Sequence, residues 1–215
     1  MIPVVSFVGR SNTGKTTLLE KVIKELKQRG YRIAVIKHDI HGFDVDQPGK
    51  DSWRITRAGS DVVVVSSADK MAMIKKPEAE MTLEQLVGMV KDGVDIILTE
   101  GYKRSDKPKI EVFRSEVSDR ILSQESELIA LVTDKHFDID IPQFGADDAN
   151  GIVNLIEERF LSQPAGEEIY LSVNGKEMGL KSFIRDAFIK TVSGMVSTLH
   201  GTENAREIRL TIHLP

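Results

Sequence analysis

Gly9-Arg10-Ser11-Asn12-Thr13-Gly14-Lys15-Thr16 follows directly on the apolar run Val4-Val5-Ser6-Phe7-Val8 and matches the phosphate-binding pattern GxxxxGK[ST]. Downstream, Leu18, Leu19, Val22, Ile23 and Leu26 recur at helical spacing, so the loop is expected between a strand and a helix. There, glycines that tolerate positive φ let successive backbone N–H groups curl round a phosphate at the positive end of the helix. The pattern assigns nucleotide contacts to Gly9, Arg10, Ser11, Asn12, Thr13, Gly14, Lys15, Thr16 and Thr17. Lys15 is the residue that reaches the β- and γ-phosphates, and Thr16 is a ligand of Mg²⁺. A glycine turn that only capped a helix would gain nothing from Lys-Thr over a Ser or Asp.

Moving outward, the first helix is expected to stop at Arg29-Gly30, and Tyr31-Arg32-Ile33-Ala34-Val35-Ile36-Lys37 reads as the next strand. Strand, loop, helix and strand in that order make a βαβ unit of a parallel sheet, which sets the class as α/β. The polar connection from Lys37 to Ser52 leaves the carboxyl end of the second strand, the edge at which open α/β sheets bind ligands. It carries Asp44, Asp46 and Asp51, any of which is a candidate oxygen ligand for Mg²⁺, and His38 and His41, expected in a hydrogen-bonding rather than a metal role. Asp51 or Ser52 is also placed to cap the following helix, Ser52 to Ala58.

Four consecutive valines, Val62 to Val65, read as a central strand covered on both faces, and Met71 to Lys75 as a shorter one. Thr82 and Gln85 form a capping box for a helix carrying Leu83, Leu86, Val87 and Val90. Val94 to Leu98 then runs into Thr99-Glu100-Gly101, and a carboxylate at the end of such a strand is placed to order the Mg²⁺ shell beside Lys15. Asp95 competes for that role from the strand start. The basic loop Tyr102 to Lys109 follows, within reach of a phosphate or a partner. Ile110 to Phe113 alternates like an edge or paired strand, and Leu128 to Val132 is a buried run ending at Thr133-Asp134. Asp134 is a candidate for reading guanine N1 and N2, a contact worth about 1.5–3 kcal/mol.

A helix from Asp148 to Phe160 is expected to close a nucleotide-binding domain over 1–163, a P-loop NTPase-like, mostly parallel sheet flanked by helices. Ser162 to Glu167 has linker character. Over 167–215 a hairpin signal at Asn174-Gly175, a helix from Phe183 to Leu199 and alternation at Ile208, Leu210, Ile212 and Leu214 describe a small ββαβ accessory module. Across all 215 residues, hydrophobic residues make up 40% and charged residues 29%, and the net charge is -4, so a sequence-wide basic field for nucleic acid is excluded. No cysteine is available for a disulfide, a thiolate site or a nucleophile. Neither a leader pattern nor a long apolar run is present, and a cytoplasmic location without membrane contact is expected.

The combination of Gly9 to Thr17, Lys37-His38 through Asp44-Val45-Asp46, Pro48-Gly49-Lys50-Asp51-Ser52, and Thr99-Glu100-Gly101-Tyr102-Lys103 with Pro108-Lys109-Ile110-Glu111 resembles the molybdopterin-guanine dinucleotide biosynthesis protein B (MobB) family over about the first 165 residues. The resemblance implies GTP as ligand with Mg²⁺, weak hydrolysis, a homodimer, and assistance to the guanylyltransferase that joins GMP to molybdopterin. It favours Asp46 and Glu100 as acidic metal partners beside Thr16, and Lys15 and Glu100 as the catalytic pair. Molybdopterin itself is a possible second ligand on this view. Two other readings fit the loop: a small-molecule or nucleotide kinase, for whose lid only Lys103-Arg104 hints, and an adaptor that binds nucleotide without hydrolysing it. A metal-delivery GTPase would carry His-rich or Cys-bearing sites, against which five His and no Cys speak.

Overall fold

The computed structural model describes residues 2–39, 42–43, 45–161, 169–202, 205 and 207–212. Contacts divide the chain into two compact units, one over Ile2–Phe160 and one beginning at Leu161. In the first unit the strands are β1 (Val4–Val8), β2 (Ile33–Lys37), β3 (Val62–Ser66), β4 (Met71–Lys75), β5 (Ile96–Glu100), β6 (Lys109–Val112), β7 (Leu128–Val132) and β8 (Gln143–Phe144). Its helices are α1 (Lys15–Gln28), α2 (Asp51–Arg57), α3 (Leu83–Val90) and α4 (Ala149–Ile156).

Six of these strands form one parallel sheet in the order β2-β5-β1-β6-β7-β8. The chain leaves β1 toward one edge and returns to fill its other side with β6, so the switch point of the topology lies at the carboxyl end of β1, where Gly9 begins the phosphate loop. Every residue of β1 and β7 is buried, as strands covered on both faces require. Leu18, Leu19, Val22 and Leu26 of α1 and Ile152, Val153 and Ile156 of α4 are buried, and the two helices touch. Each such aliphatic side chain contributes about 1.5–3 kcal/mol. Arg29 beyond the end of α1 donates to Asn154 at 2.8 Å and to Glu157, locking α1 to the end of α4. Leu83 of α3, with Leu86 and Val87, packs on Val4, Ile36 and Ile97. The capping box at Thr82 is complete: Gln85 N donates to Thr82 Oγ1 at 3.2 Å, and Thr82 N donates to Gln85 Oε1 at 2.9 Å.

Several expectations are corrected. The valine run is not a central strand: β3 pairs only with β4, antiparallel, in a two-stranded sheet, and Val62, Val64 and Val65 are 43%, 55% and 48% exposed. The apolar run alone does not say which surface covers it. Of the two readings of β6, edge or paired, the paired one holds: it lies between β1 and β7 with all four residues buried. The second strand begins at Ile33 rather than Tyr31, and the helix expected to reach Phe160 stops at Ile156, continuing as a wide turn over Glu157–Leu161.

In the second unit, β9 (Leu171–Val173) and β10 (Lys176–Met178) form an antiparallel hairpin, with Asn174 and Gly175 both at positive φ, and α5 spans Ser182–Val196. Residues 207–212 form no strand, against the expected fourth element of the module. Alternation is not sufficient for a strand when no neighbour takes up its hydrogen bonds. Leu214 and the 162–168 segment, which holds the expected linker, lie outside the described residues, as do His41 and Asp44.

Candidate nucleotide site

The loop after β1 has the backbone its glycines predict. Gly9 is at φ 144°, Asn12 at 65° and Gly14 at 87°. A Cβ on Gly9 would stand 2.4 Å from the carbonyl oxygen of Val112, so only glycine lets β1 turn this close to the end of β6. Helix α1 starts at Lys15 with no capping side chain and no acidic residue in its first turn, which leaves its first amides available to an anion. Inside the loop, Thr13 Oγ1 and Lys15 Nζ both donate to the Arg10 carbonyl, at 3.0 and 2.7 Å. The Arg10 Nε is buried without a partner.

Across from this loop, β5 delivers Glu100. Thr16 Oγ1 lies 3.1 and 3.0 Å from its two carboxylate oxygens, and Lys37 Nζ lies 3.6 Å from Oε1. The β2–β5 register sets Lys37 beside Glu100, and that of β1–β5 sets Phe7 beside it, so three parallel strand ends bring these groups together. Burial holds the Lys15 ammonium below its ordinary pKa; the Glu100 carboxylate opposes this, and Lys103 and Lys37 add to it. Asp95, the alternative carboxylate, is at the far end and is bonded by Arg32 N at 2.7 Å and Arg32 Nη2 at 2.9 Å.

Asp46 accepts from Ser52 Oγ at 2.9 Å and Gln47 N at 3.1 Å through Oδ1, while Oδ2 is buried without a partner. Its hydrogen bonds run toward the start of α2, and none joins it to Thr16 or Glu100. Asp51 is in the first turn of α2, 3.7 Å from Arg54. His38 Nε2 is 2.7 Å from Glu80 Oε1, and its ring stacks on Tyr102 with centroids 4.8 Å apart. That is a hydrogen-bonding and packing role. Among the described residues no group of three or more His, Asp or Glu gathers as a self-sufficient metal site. The donor set of Thr16 hydroxyl and Glu100 carboxylate suits Mg²⁺, which takes one or two carboxylates and fills its shell with phosphate oxygens and water.

A cavity of about 450 Å³ opens beside the loop, lined by Gly14, Thr17 and Lys21 on α1 and its cap and by Arg114, Asp134 and Asp147 from the far strand ends. Asp134 is at its wall but not idle. Ser115 N donates to both of its carboxylate oxygens, at 3.0 and 3.1 Å, and Ser115 Oγ to Oδ2 at 3.0 Å. Against desolvation by the surrounding protein, which raises it, these bonds hold the Asp134 pKa below its ordinary value. Lys21 Nζ meets Asp147 Oδ1 at 2.6 Å across the mouth.

Sequence reasoning missed Lys21, Arg114 and Asp147, which are surface-type residues carrying no motif. It also missed the burial of Lys109 and Glu111, 0% and 1% exposed, although two charges inside a strand with apolar neighbours are a signal that partners must exist. Lys109 Nζ binds Ser105 O at 2.7 Å and Glu127 Oε1 at 2.9 Å. Glu111 accepts from Leu122 N at 2.7 Å and Ser123 N at 2.8 Å.

The profile of the family described as "Molybdopterin guanine dinucleotide synthesis protein B" matches residues 4–134, more than half of the chain and the whole span from β1 to Asp134. The chain belongs to the MobB family. Among MobB relatives, the molybdopterin-guanine dinucleotide biosynthesis adapter protein of Escherichia coli (strain K12) is 36% identical over 163 residues, covering 74% of this chain and 93% of that protein. A putative adapter protein of the same description from Methanocaldococcus jannaschii is 24% identical over 234 aligned positions that cover 97% of each chain. The second unit therefore lies largely within the span aligned with this second relative. The crystal structure of Bacillus subtilis MobB superposes with a TM-score of 0.63 at 27% identity, covering 74% of this chain and 98% of that one. The described residues contain no helix long and apolar enough to cross a membrane.

Proposed function

We propose that this protein binds GTP with Mg²⁺ at residues 9–17 and serves as the accessory, weakly hydrolysing component in forming molybdopterin guanine dinucleotide, working with the guanylyltransferase of that step. The observation that carries this reading is the Thr16–Glu100 contact at 3.0 Å, with Lys15 beside it and a cavity of about 450 Å³ adjoining Gly14 and Thr17. Backbone N–H groups from Gly9 to Thr17 receive the phosphates, and Lys15 leaves the Arg10 carbonyl to meet the β- and γ-oxygens. Thr16 and Glu100, with Asp46 through its free oxygen, hold the Mg²⁺, whose charge offsets that developing on the phosphoryl oxygens. Glu100 also orients the hydroxyl of Thr16 and draws Lys15 toward its charged form, so the chain's own contribution is positioning and charge stabilisation. Arg10 supplies a second cation. The base enters the cavity at Asp134, whose carboxylate keeps lone pairs beyond those used by Ser115.

The protein acts in the cytoplasm as a homodimer, with the β3–β4 hairpin as its contact. That hairpin is too small to be stable as an isolated ribbon and exposes Val64, Val65, Met71 and Met73. Residues 1–163 form the nucleotide-binding domain and residues 167–215 an accessory module. Calorimetric titration with GTP and ATP in Mg²⁺ tests the reading: GTP is expected to bind more tightly, and Lys15→Ala to lose most of the affinity. Preference for ATP would reject it. Single-turnover hydrolysis with and without the guanylyltransferase separates a GTPase from a non-hydrolysing adaptor.

A further inference from the structure

The connection from β5 to β6 has to pass β1, since the sheet order is β5-β1-β6. Glu100 pairs with Phe7 and Lys109 with Ser6, so both ends of the connection are held on β1 at adjacent residues, shortly before the phosphate loop that begins at Gly9. Two strand spacings amount to roughly 10 Å. Residues 101–108 therefore form a strap across the end of β1 with no helix in it, shorter than the usual parallel crossover.

The strap is fixed along its length. Gly101 N donates to Phe7 O at 3.0 Å, and Ser6 N donates to Pro108 O at 2.9 Å. Tyr102 is stacked on His38, Ser105 N donates to Tyr102 O at 2.9 Å, and the buried Lys109 holds the Ser105 carbonyl. Lys107 is engaged by Asp106 at 3.1 Å and Glu84 at 3.4 Å. Between these anchors, Lys103 and Arg104 are exposed and carry no hydrogen bond or ion pair among the described residues. Lys37, 3.6 Å from Glu100, is the next cation in line, and Lys103 acts on Lys15 electrostatically. The Ser105 hydroxyl in the same strap is buried without a partner.

A bound magnesium nucleotide is met by Lys15 and the loop amides, and Lys103 and Arg104 carry no ion pair among the described residues, so their charge is left for another anion. We infer that Lys103, Arg104 and Lys37 form a second anion subsite beside the terminal phosphate of the nucleotide, which takes the phosphomonoester group of a second small ligand bound at the same time. This rests on the nucleotide-binding reading. A rigid strap bearing unpaired cations suits a dianionic phosphate, for which charge-assisted hydrogen bonds are the strong ones.

The full-length protein, saturated with Mg²⁺ and a non-hydrolysable GTP analogue, is titrated calorimetrically with phenyl phosphate and, separately, with inorganic phosphate. A saturable second event is expected, weakened about tenfold or more in the Lys103→Ala/Arg104→Ala double variant. Tighter binding of phenyl phosphate than of inorganic phosphate assigns an organic monoester. Thermal melts of the double variant check that the fold is retained. Absence of a second event on the loaded protein, survival of the event in the double variant, or loss of the probe in simple competition with the analogue each overturns the inference. A wild-type protein that fails to take up the analogue overturns the nucleotide reading instead, and the same comparison of wild type and double variant on the nucleotide-free protein then decides the subsite by itself.

Discussion

Lys15 is held below the ordinary lysine pKa of 10.5 chiefly by burial, only partly opposed by Glu100. A bound triphosphate reverses that balance, so the ammonium is favoured in the complex and disfavoured in the free site. Nucleotide affinity is therefore full below the depressed pKa and declines as pH rises through it, with proton uptake on binding in that alkaline window. Calorimetry across pH in buffers of differing ionisation enthalpy should show the decline, and Lys15→Arg should flatten it, because a guanidinium does not titrate there. For the fold itself the sign is opposite: keeping Lys15 charged costs stability below the depressed pKa, and that cost disappears as pH passes 10.5. Glu111 is a different kind of residue. Its buried carboxylate is the acceptor for two backbone N–H groups of the 114–124 connection, and Glu111→Ala leaves both without one. Urea denaturation should show a loss of about 3 kcal/mol or more.

At the scale of elements, α1 and β1 were legible because their information is local: a fixed motif, a strand before it and a helical stripe after it. Glu100 was legible for a related reason, as an acidic residue ending an apolar run. The β3 hairpin was not, since Val62 to Val65 has the composition of a central strand and only the pairing partner distinguishes the two cases. Lys109 and Glu111 show the converse, charges whose alternation left edge and interior undecided yet which lie in the centre of the sheet because Ser105, Glu127, Leu122 and Ser123 satisfy them. Of the charged residues lining the cavity, only Asp134 was singled out, as a strand-end carboxylate, because Lys21, Arg114 and Asp147 meet through the fold rather than through spacing. If β3–β4 is the dimer contact, Val64→Asp should leave the melting temperature of the monomer nearly unchanged, since that side chain is 55% exposed, and should shift the sedimenting species from dimer to monomer. A dimer that persists would assign the contact elsewhere.

For the whole molecule, the two units make different demands on the chain. The first has the complete six-stranded sheet and the residues of the candidate site; the second has a hairpin, one helix and exposed Phe183, Met195 and Leu210. A chain ending at Phe160 is expected to fold and to bind GTP within about twofold of the full-length protein, checked by calorimetry and circular dichroism. Loss of binding on truncation would make the second unit part of the site. The place of β1 in the sheet also governs the order of assembly. Val4 pairs with Ile97 and Val8 with Glu111, so the strand that launches the phosphate loop is translated well before either of its neighbours, β5 and β6. During synthesis the nascent loop therefore has no fixed shape until both flanking strands have left the ribosome, and a nucleotide present in the cell has nothing to grip before the centre of the sheet has closed.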